Sequence, residues 1–284
     1  MGLILSLYYK ITQRAENTTI EVRFYSILLL CLALPYIDLF SGTRFMFAAS
    51  FVLTAFYIGL IERKKIAFLL LVIASFIHFS TLVFIPVFSV LFFFPNNDKK
   101  YMWLFLTSLV FLILPSSFLF SFINLLGFSG GLAVKQDAYL GGGDDFATIA
   151  MNESYIAKTA YLFEMLNVCL MYIFLIFFSK NKGVFRNAVL FTATVINLFY
   201  SVPTIFFRYI LFFKLLFIFY LMTEIYLYSQ KKWFFLFVPI LIGIFFFQII
   251  SGLPNIIETF FNKNALLLLQ ILLKNNLTRA DFIQ

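Results

Sequence analysis

Arg44 and Arg208 each stand one residue ahead of an aromatic side chain, Phe45 and Tyr209, and each heads an apolar run: "TRFMFAASFVL" and "FRYILFFKLLF". The start of a helix carries unpaired N–H groups and a partial positive charge, so a guanidinium placed there makes a strong anion site. Phosphate or pyrophosphate fits best, because the planar fork meets two oxygens at once. In that reading Tyr209 lies beside the bound group. The competing reading is that each arginine reaches a membrane surface and holds ordinary phospholipid headgroups.

His78 is the one histidine in the chain, in "ASFIHFSTL" with Ser80 close behind it. A neutral imidazole at a helix break serves as general base toward a sugar hydroxyl, or simply donates a hydrogen bond. Its bland alternative is a buried histidine satisfied by a backbone carbonyl. One histidine does not make a metal site.

A third group lies in "VKQDAYLGGGDDFATIAMNES", where three glycines precede Asp144 and Asp145. Glycine-rich backbone beside two carboxylates suits a mobile loop that closes over a polar substrate, with an aspartate as base or as acceptor for a sugar hydroxyl. A solvated loop without chemistry is the competing reading. "GGGDD" lacks the Lys and Ser/Thr of a phosphate-binding loop, and its charge repels nucleotide phosphates. Tyr139, Tyr155 and Tyr161 border the loop, where they either stack on sugar rings or serve as interfacial aromatics. Asp38 is close enough in sequence to orient Arg44, and it joins Ser80 and Glu164 as a supporting residue. Glu164 and Glu224 are acids in apolar surroundings, and Lys214 is placed to pair with Glu224 or offset it.

These residues need elements that hold them, and the composition says which kind. The 284 residues are 63% hydrophobic, 21% aromatic and 12% charged, with 43 Phe and a mean hydropathy of +0.99. Such values lie outside the soluble range and predict an all-α, polytopic integral membrane protein of roughly seven to ten membrane segments. The net charge of +8 reads as topology and not as nucleic-acid binding, since Lys and Arg collect in cytoplasmic loops. Cys31 and Cys169 fall in apolar runs without metal-ligand spacing or a disulfide signal. Neither a metal nor a cofactor is called for.

The apolar runs predict spans over Phe24 to Phe40, Phe45 to Ile61, Tyr101 to Ile123, Tyr161 to Phe178, Asn187 to Val202, Phe207 to Tyr228 and Trp233 to Ile250. Ile66 to Phe94 is too long for one ordinary span and too short for two, and it is interrupted by His78, Ser80 and Pro86. Charge favours a broken or re-entrant segment. If the chain returns, the basic groups Lys10/Arg14/Arg23, Glu62 to Lys65, Lys99/Lys100, Lys180/Lys182/Arg186 and Lys231/Lys232 all lie on the cytoplasmic side. Arg44, His78, Arg208 and residues 124–159, read as an extracytoplasmic loop, then share the external half. The chain reads as one membrane domain over 1–284, with 253–284 an amphipathic or short-span tail.

Residues Ser41 to Phe88, "SGTRFMFAASFVLTAFYIGLIERKKIAFLLLVIASFIHFSTLVFIPVF", resemble the core of the EpsG family of bacterial exopolysaccharide and capsule proteins, related to Wzy-type polymerases. The shared features are a Gly and Arg opening a helix, a basic turn, and an alanine-containing run leading to His and a small hydroxyl residue. "RYILFFKLLFIFYL" resembles the family's second arginine-led helix. Two departures stand out: the arginine comes early, so one or more N-terminal spans are expected to be absent, and Phe45 replaces the family's polar residue. The resemblance implies polymerisation of polyprenyl-pyrophosphate-linked oligosaccharide repeat units at the external face of the bacterial cytoplasmic membrane. A chain-length regulator, a flippase of the same pathway and membrane lipid are the implied partners. Arg44 and Arg208 would hold the pyrophosphates, and His78 or a loop aspartate would take the proton. A lipid-linked oligosaccharide flippase, a membrane O-acyltransferase and a structural subunit are the rival readings.

Overall fold

The computed structural model describes residues 2–13, 20–33, 43–113, 152, 155–179, 183–227 and 237–250, and there is no strand among them. The helices are α1 (Gly2–Gln13), α2 (Ile20–Ala33), α3 (Thr43–Leu60), α4 (Ile66–Ile77), α5 (Phe84–Phe93), α6 (Asp98–Ser108), α7 (Tyr155–Ile173), α8 (Val184–Leu198), α9 (Pro203–Leu227) and α10 (Phe237–Ile250). A 3-10 turn, Phe79–Val83, joins α4 to α5, and a π turn, Phe174–Phe178, ends α7.

Local chemistry sets several of these boundaries. Pro203 is the first residue of α9, where its fixed φ suits the helix and its missing N–H has no intrahelical partner to lose. Pro86 sits in the first turn of α5 for the same reason. Asp98 in the first turn of α6 complements the helix dipole. Between α3 and α4, Arg63 adopts a positive φ of 57°, and the Lys64 N–H closes the turn on the Ile58 carbonyl (3.2 Å).

The long apolar segment returns on itself. Arg63, just before α4, donates to the Phe92 carbonyl at the end of α5 (3.4 Å), and Phe68 packs edge-on against both Phe88 (5.0 Å) and Phe92 (5.4 Å). A straight helix through these residues would hold its ends about 40 Å apart. The break falls at His78, whose backbone is extended (φ −147°, ψ 113°). Gly59 lets the hairpin seat against α3: a Cβ there would meet the Phe88 ring at 2.2 Å and the Ala67 Cβ at 2.8 Å.

Side-chain pairs fix the directions of the other helices. α6 runs parallel to α8, through Tyr101 on Phe191 and an Asn197 Nδ2 to Ser108 Oγ bond (2.9 Å). α7 runs parallel to α9, through Tyr161 on Phe207, Tyr172 on Phe213 and Phe174 on Phe217. α10 is antiparallel to both, with Phe237 on Phe174 at one end and Phe247 on Phe163 at the other. α9 is the central helix, packed against α1, α2, α3, α7 and α8. Its residues from Tyr209 to Met222 are all buried.

Two ends result. One holds the Glu62 to Lys65 turn, the start of α6 and the start of α8, where Asn187 donates to the Pro95 carbonyl (2.8 Å). Arg186 is buried there, its Nε donating to Ser179 Oγ (2.6 Å), and Ser179 is also hydrogen-bonded to the Tyr220 hydroxyl. The other end holds the start of α3, the 78–83 turn, and the connection from α8 to α9. The length of α8 separates them by about 20 Å.

Large apolar side chains lie on the outside, with Phe76 88% and Ile113 86% exposed and Trp103, Phe93 and Phe177 also exposed. Such a surface suits hydrocarbon and not water. Two stretches, Lys158–Phe178 and Pro203–Met222, are long and apolar enough to cross a membrane. Several other predicted spans appear as shorter apolar helices, among them Arg44–Leu60, Val184–Leu198 and Phe237–Ile250.

Candidate functional site

The break between α4 and α5 is built from hydroxyl-to-backbone contacts. The His78 N–H continues the helix to the Ala74 carbonyl (2.9 Å), and its own carbonyl accepts from the Thr81 N–H (3.0 Å) and the Thr81 hydroxyl (2.8 Å). Thr81 is fully buried, so both bonds are shielded from competing water. Ser80 then folds back onto the ring: its N–H lies 3.3 Å and its Oγ 2.6 Å from His78 Nδ1. A residue two positions on supplies both contacts, as serine readily does in turns.

α9 and α3 complete the group. The Tyr209 hydroxyl donates to the Ser80 carbonyl (3.0 Å). The Tyr209 ring is wedged edge-on between Phe84 (5.6 Å) and Phe199 (5.5 Å). From α3, Phe45 meets the His78 ring edge-on at 5.3 Å. Phe45 thus packs against the imidazole that Ser80 holds through Nδ1.

Arg44 and Arg208 adjoin this group through their chain neighbours. Arg44 is exposed and is the second residue of α3, at the helix start as its sequence setting predicts. Arg208 is half-buried and next to Tyr209. It does not open its helix, however, because α9 begins at Pro203 and puts Arg208 in the second turn. The apolar run from Phe206 masks that earlier start, and the proline is the signal that marks it.

Glu164 belongs to a different cluster. It pairs with Lys214 (2.7 Å), both side chains buried, and accepts from Gln248 Nε2 (2.6 Å). Asn167 Nδ2 donates to Gln248 Oε1 (3.1 Å), and the Lys214 ammonium lies 5.7 Å from the Phe245 ring centre. Sequence proximity places Lys214 to pair with Glu224 or to offset it. The parallel packing of α7 on α9 supplies Glu164 instead. Tyr161 packs on Phe207 (5.0 Å), one residue from Arg208, while Tyr155 is exposed. Asp38, Tyr139, Asp144 and Asp145 lie outside the described residues, as do most of residues 124–154 and the 253–284 tail; the loop expected to reach residue 159 ends sooner, because Tyr155 already opens α7.

Sequence reasoning missed Thr81, Phe45 and the Tyr209 contact to the Ser80 backbone. The hydroxyls two and three residues after His78 were the available signal. Nothing local marks the tyrosine contact, which depends on tertiary packing.

The described residues are helical, with large apolar side chains exposed, and they hold a histidine, serine and tyrosine group at the end opposite the Glu62 to Lys65 turn. The chain belongs to the EpsG family, whose profile it matches over residues 1–262. EpsG is a Wzy-like polysaccharide polymerase family. No curated protein and no solved structure matches the chain.

Proposed function

We propose that this protein is a multi-pass enzyme of the bacterial cytoplasmic membrane. It joins polyprenyl-pyrophosphate-linked oligosaccharide repeat units at the external face, for exopolysaccharide, capsule or O-antigen. The observation that carries the reading is the His78, Ser80 and Tyr209 group, with Arg44 and Arg208 one residue away on α3 and α9, at the end opposite the Arg186 and Lys99/Lys100 end. The positive-inside rule makes that second end cytoplasmic.

In this reading a sugar hydroxyl of the acceptor attacks the anomeric carbon of the donor. The bond from that carbon to the pyrophosphate oxygen breaks, and the polyprenyl pyrophosphate departs with the electron pair. Arg44 and Arg208 bind the pyrophosphates of donor and acceptor, where charge develops and needs fixed donors. His78 is the eventual proton acceptor, and Asp144, Asp145 and Tyr139 of the 124–159 loop close over the sugars. Asp38 orients Arg44. Glu164, held by Lys214, supports α7 against α9 and does not touch the substrate. The polyprenyl tails stay in lipid while the sugars meet at the surface, and a chain-length regulator and flippase of the same pathway act beside the protein.

The test is surface polysaccharide chain length in a strain lacking the protein, complemented with wild type, R44A, R208A or H78A at matched membrane levels. Single repeat units, still delivered to the external face on lipid, are the expected product of each variant. Full-length polymer from the arginine variants would overturn the reading. Repeat units held on the cytoplasmic leaflet would replace it with a flippase.

A further inference from the structure

The His78 ring has one nitrogen whose role the contacts fix. A backbone N–H only donates, so the Ser80 N–H contact makes Nδ1 a lone-pair acceptor. The Ser80 hydroxyl, 2.6 Å from the same atom, must then donate to it as well. A neutral ring in this arrangement carries its proton on Nε2. The basic lone pair of His78 is thus covered by Ser80, and an incoming sugar hydroxyl meets the serine oxygen before it meets the imidazole. That oxygen keeps acceptor lone pairs of its own, and Ser80 is only half-buried.

The surrounding contacts hold the serine rather than the histidine alone. Tyr209 fixes the Ser80 carbonyl from α9, and Thr81 fixes the His78 carbonyl from within the turn. Two elements, α9 and the turn itself, therefore hold the backbone on which the hydroxyl and the ring nitrogen face each other, which is the preorganisation a proton transfer needs.

We propose that Ser80 is a catalytic residue that meets the acceptor hydroxyl and relays its proton to His78 Nδ1. The inference rests on the polymerase reading. As the acceptor oxygen bonds to the anomeric carbon, its proton passes to Ser80 Oγ and the serine's own proton passes to Nδ1. The carbon–oxygen bond to pyrophosphate breaks, and the electron pair leaves on the phosphate oxygen. The imidazolium then returns its proton through Ser80 to water, which restores the starting state. Tyr209 and Thr81 are positioning residues in this scheme.

The experiment measures polymer formation in membranes of a strain that makes the host's own lipid-linked repeat unit, with the chromosomal copy removed. Wild type, S80A, S80T, H78Q and S80A/H78Q are compared at equal protein levels. The relay predicts that S80A loses about 100-fold or more in kcat with KM nearly unchanged, and that S80T, which keeps the hydroxyl, stays within about 10-fold of wild type. The double variant should be no slower than the slower single one, because groups acting as a unit are not additive. If S80A turns over like wild type while H78Q is dead, His78 takes the proton directly and the relay falls, with the polymerase reading intact. A sugar found covalently attached to Ser80 in quenched wild-type protein would make the serine a nucleophile and also overturn the relay. Full-length polymer from R44A and R208A would remove the polymerase reading itself.

Discussion

Phe45 stands beside Arg44 at the start of α3, and its ring meets His78 edge-on at 5.3 Å. An edge-on aromatic contact of this kind contributes about 0.5–1.5 kcal/mol beyond the area it buries. Phe45→Ala should therefore loosen the imidazole without removing either arginine. The expected result is polymer formation slowed several-fold at normal protein level, read from initial rates; unchanged rates would show that the ring needs no such support. For the arginines, lysine is the informative replacement. It keeps the charge but loses the two-point fork, so R44K and R208K should fall between wild type and alanine in polymer length. Equal behaviour of lysine and arginine would point to general attraction for phospholipid.

Between helices, the buried Glu164–Lys214 pair and Gln248 join α7, α9 and α10. Breaking such a pair on one side leaves an uncompensated buried charge, at a cost of about 3–5 kcal/mol. K214M alone should lower the melting temperature in detergent clearly, and E164Q/K214M together should recover much of the loss. Gly59 is the matching test for the α4–α5 hairpin. With Phe88 rigid and buried on its far side, Gly59→Leu should destabilise by about 1–3 kcal/mol or more. Adding Phe88→Ala should restore part of that stability, and failure of the second change to help would mean the contact is not what limits the site. Helix positions were largely legible in the sequence, because uninterrupted apolar runs are what helices in lipid require. The α4–α5 return was legible only through charge, and its break at His78 through the hydroxyls around it. The Glu164 partner of Lys214 was not legible because it lies 50 residues away in sequence, and short-range spacing carries no information about which helices become neighbours.

Over the whole molecule, the exposed apolar side chains and the basic residues clustered around the Glu62 to Lys65 turn follow from solvation. The convergence of α3, α4–α5 and α9 on one small group depends on tertiary packing that composition does not specify. Single cysteines at Lys99 and at Gly183, in a background lacking Cys31 and Cys169, should both label from the cytoplasmic side only. Labelling of either from outside would contradict the orientation. The hairpin also has a consequence for parity. A segment that enters and leaves by the same face adds no net crossing, so it leaves the sidedness of everything after it unchanged. Removing residues 66–94 would abolish the His78 group and yet keep α6 to α10 facing as before. Straightening the same residues into one helix would turn every later loop inside out, while adding no residue at all. In the proposed multi-pass topology, the bend at His78 thus decides on which side of the membrane the rest of the chain presents its loops.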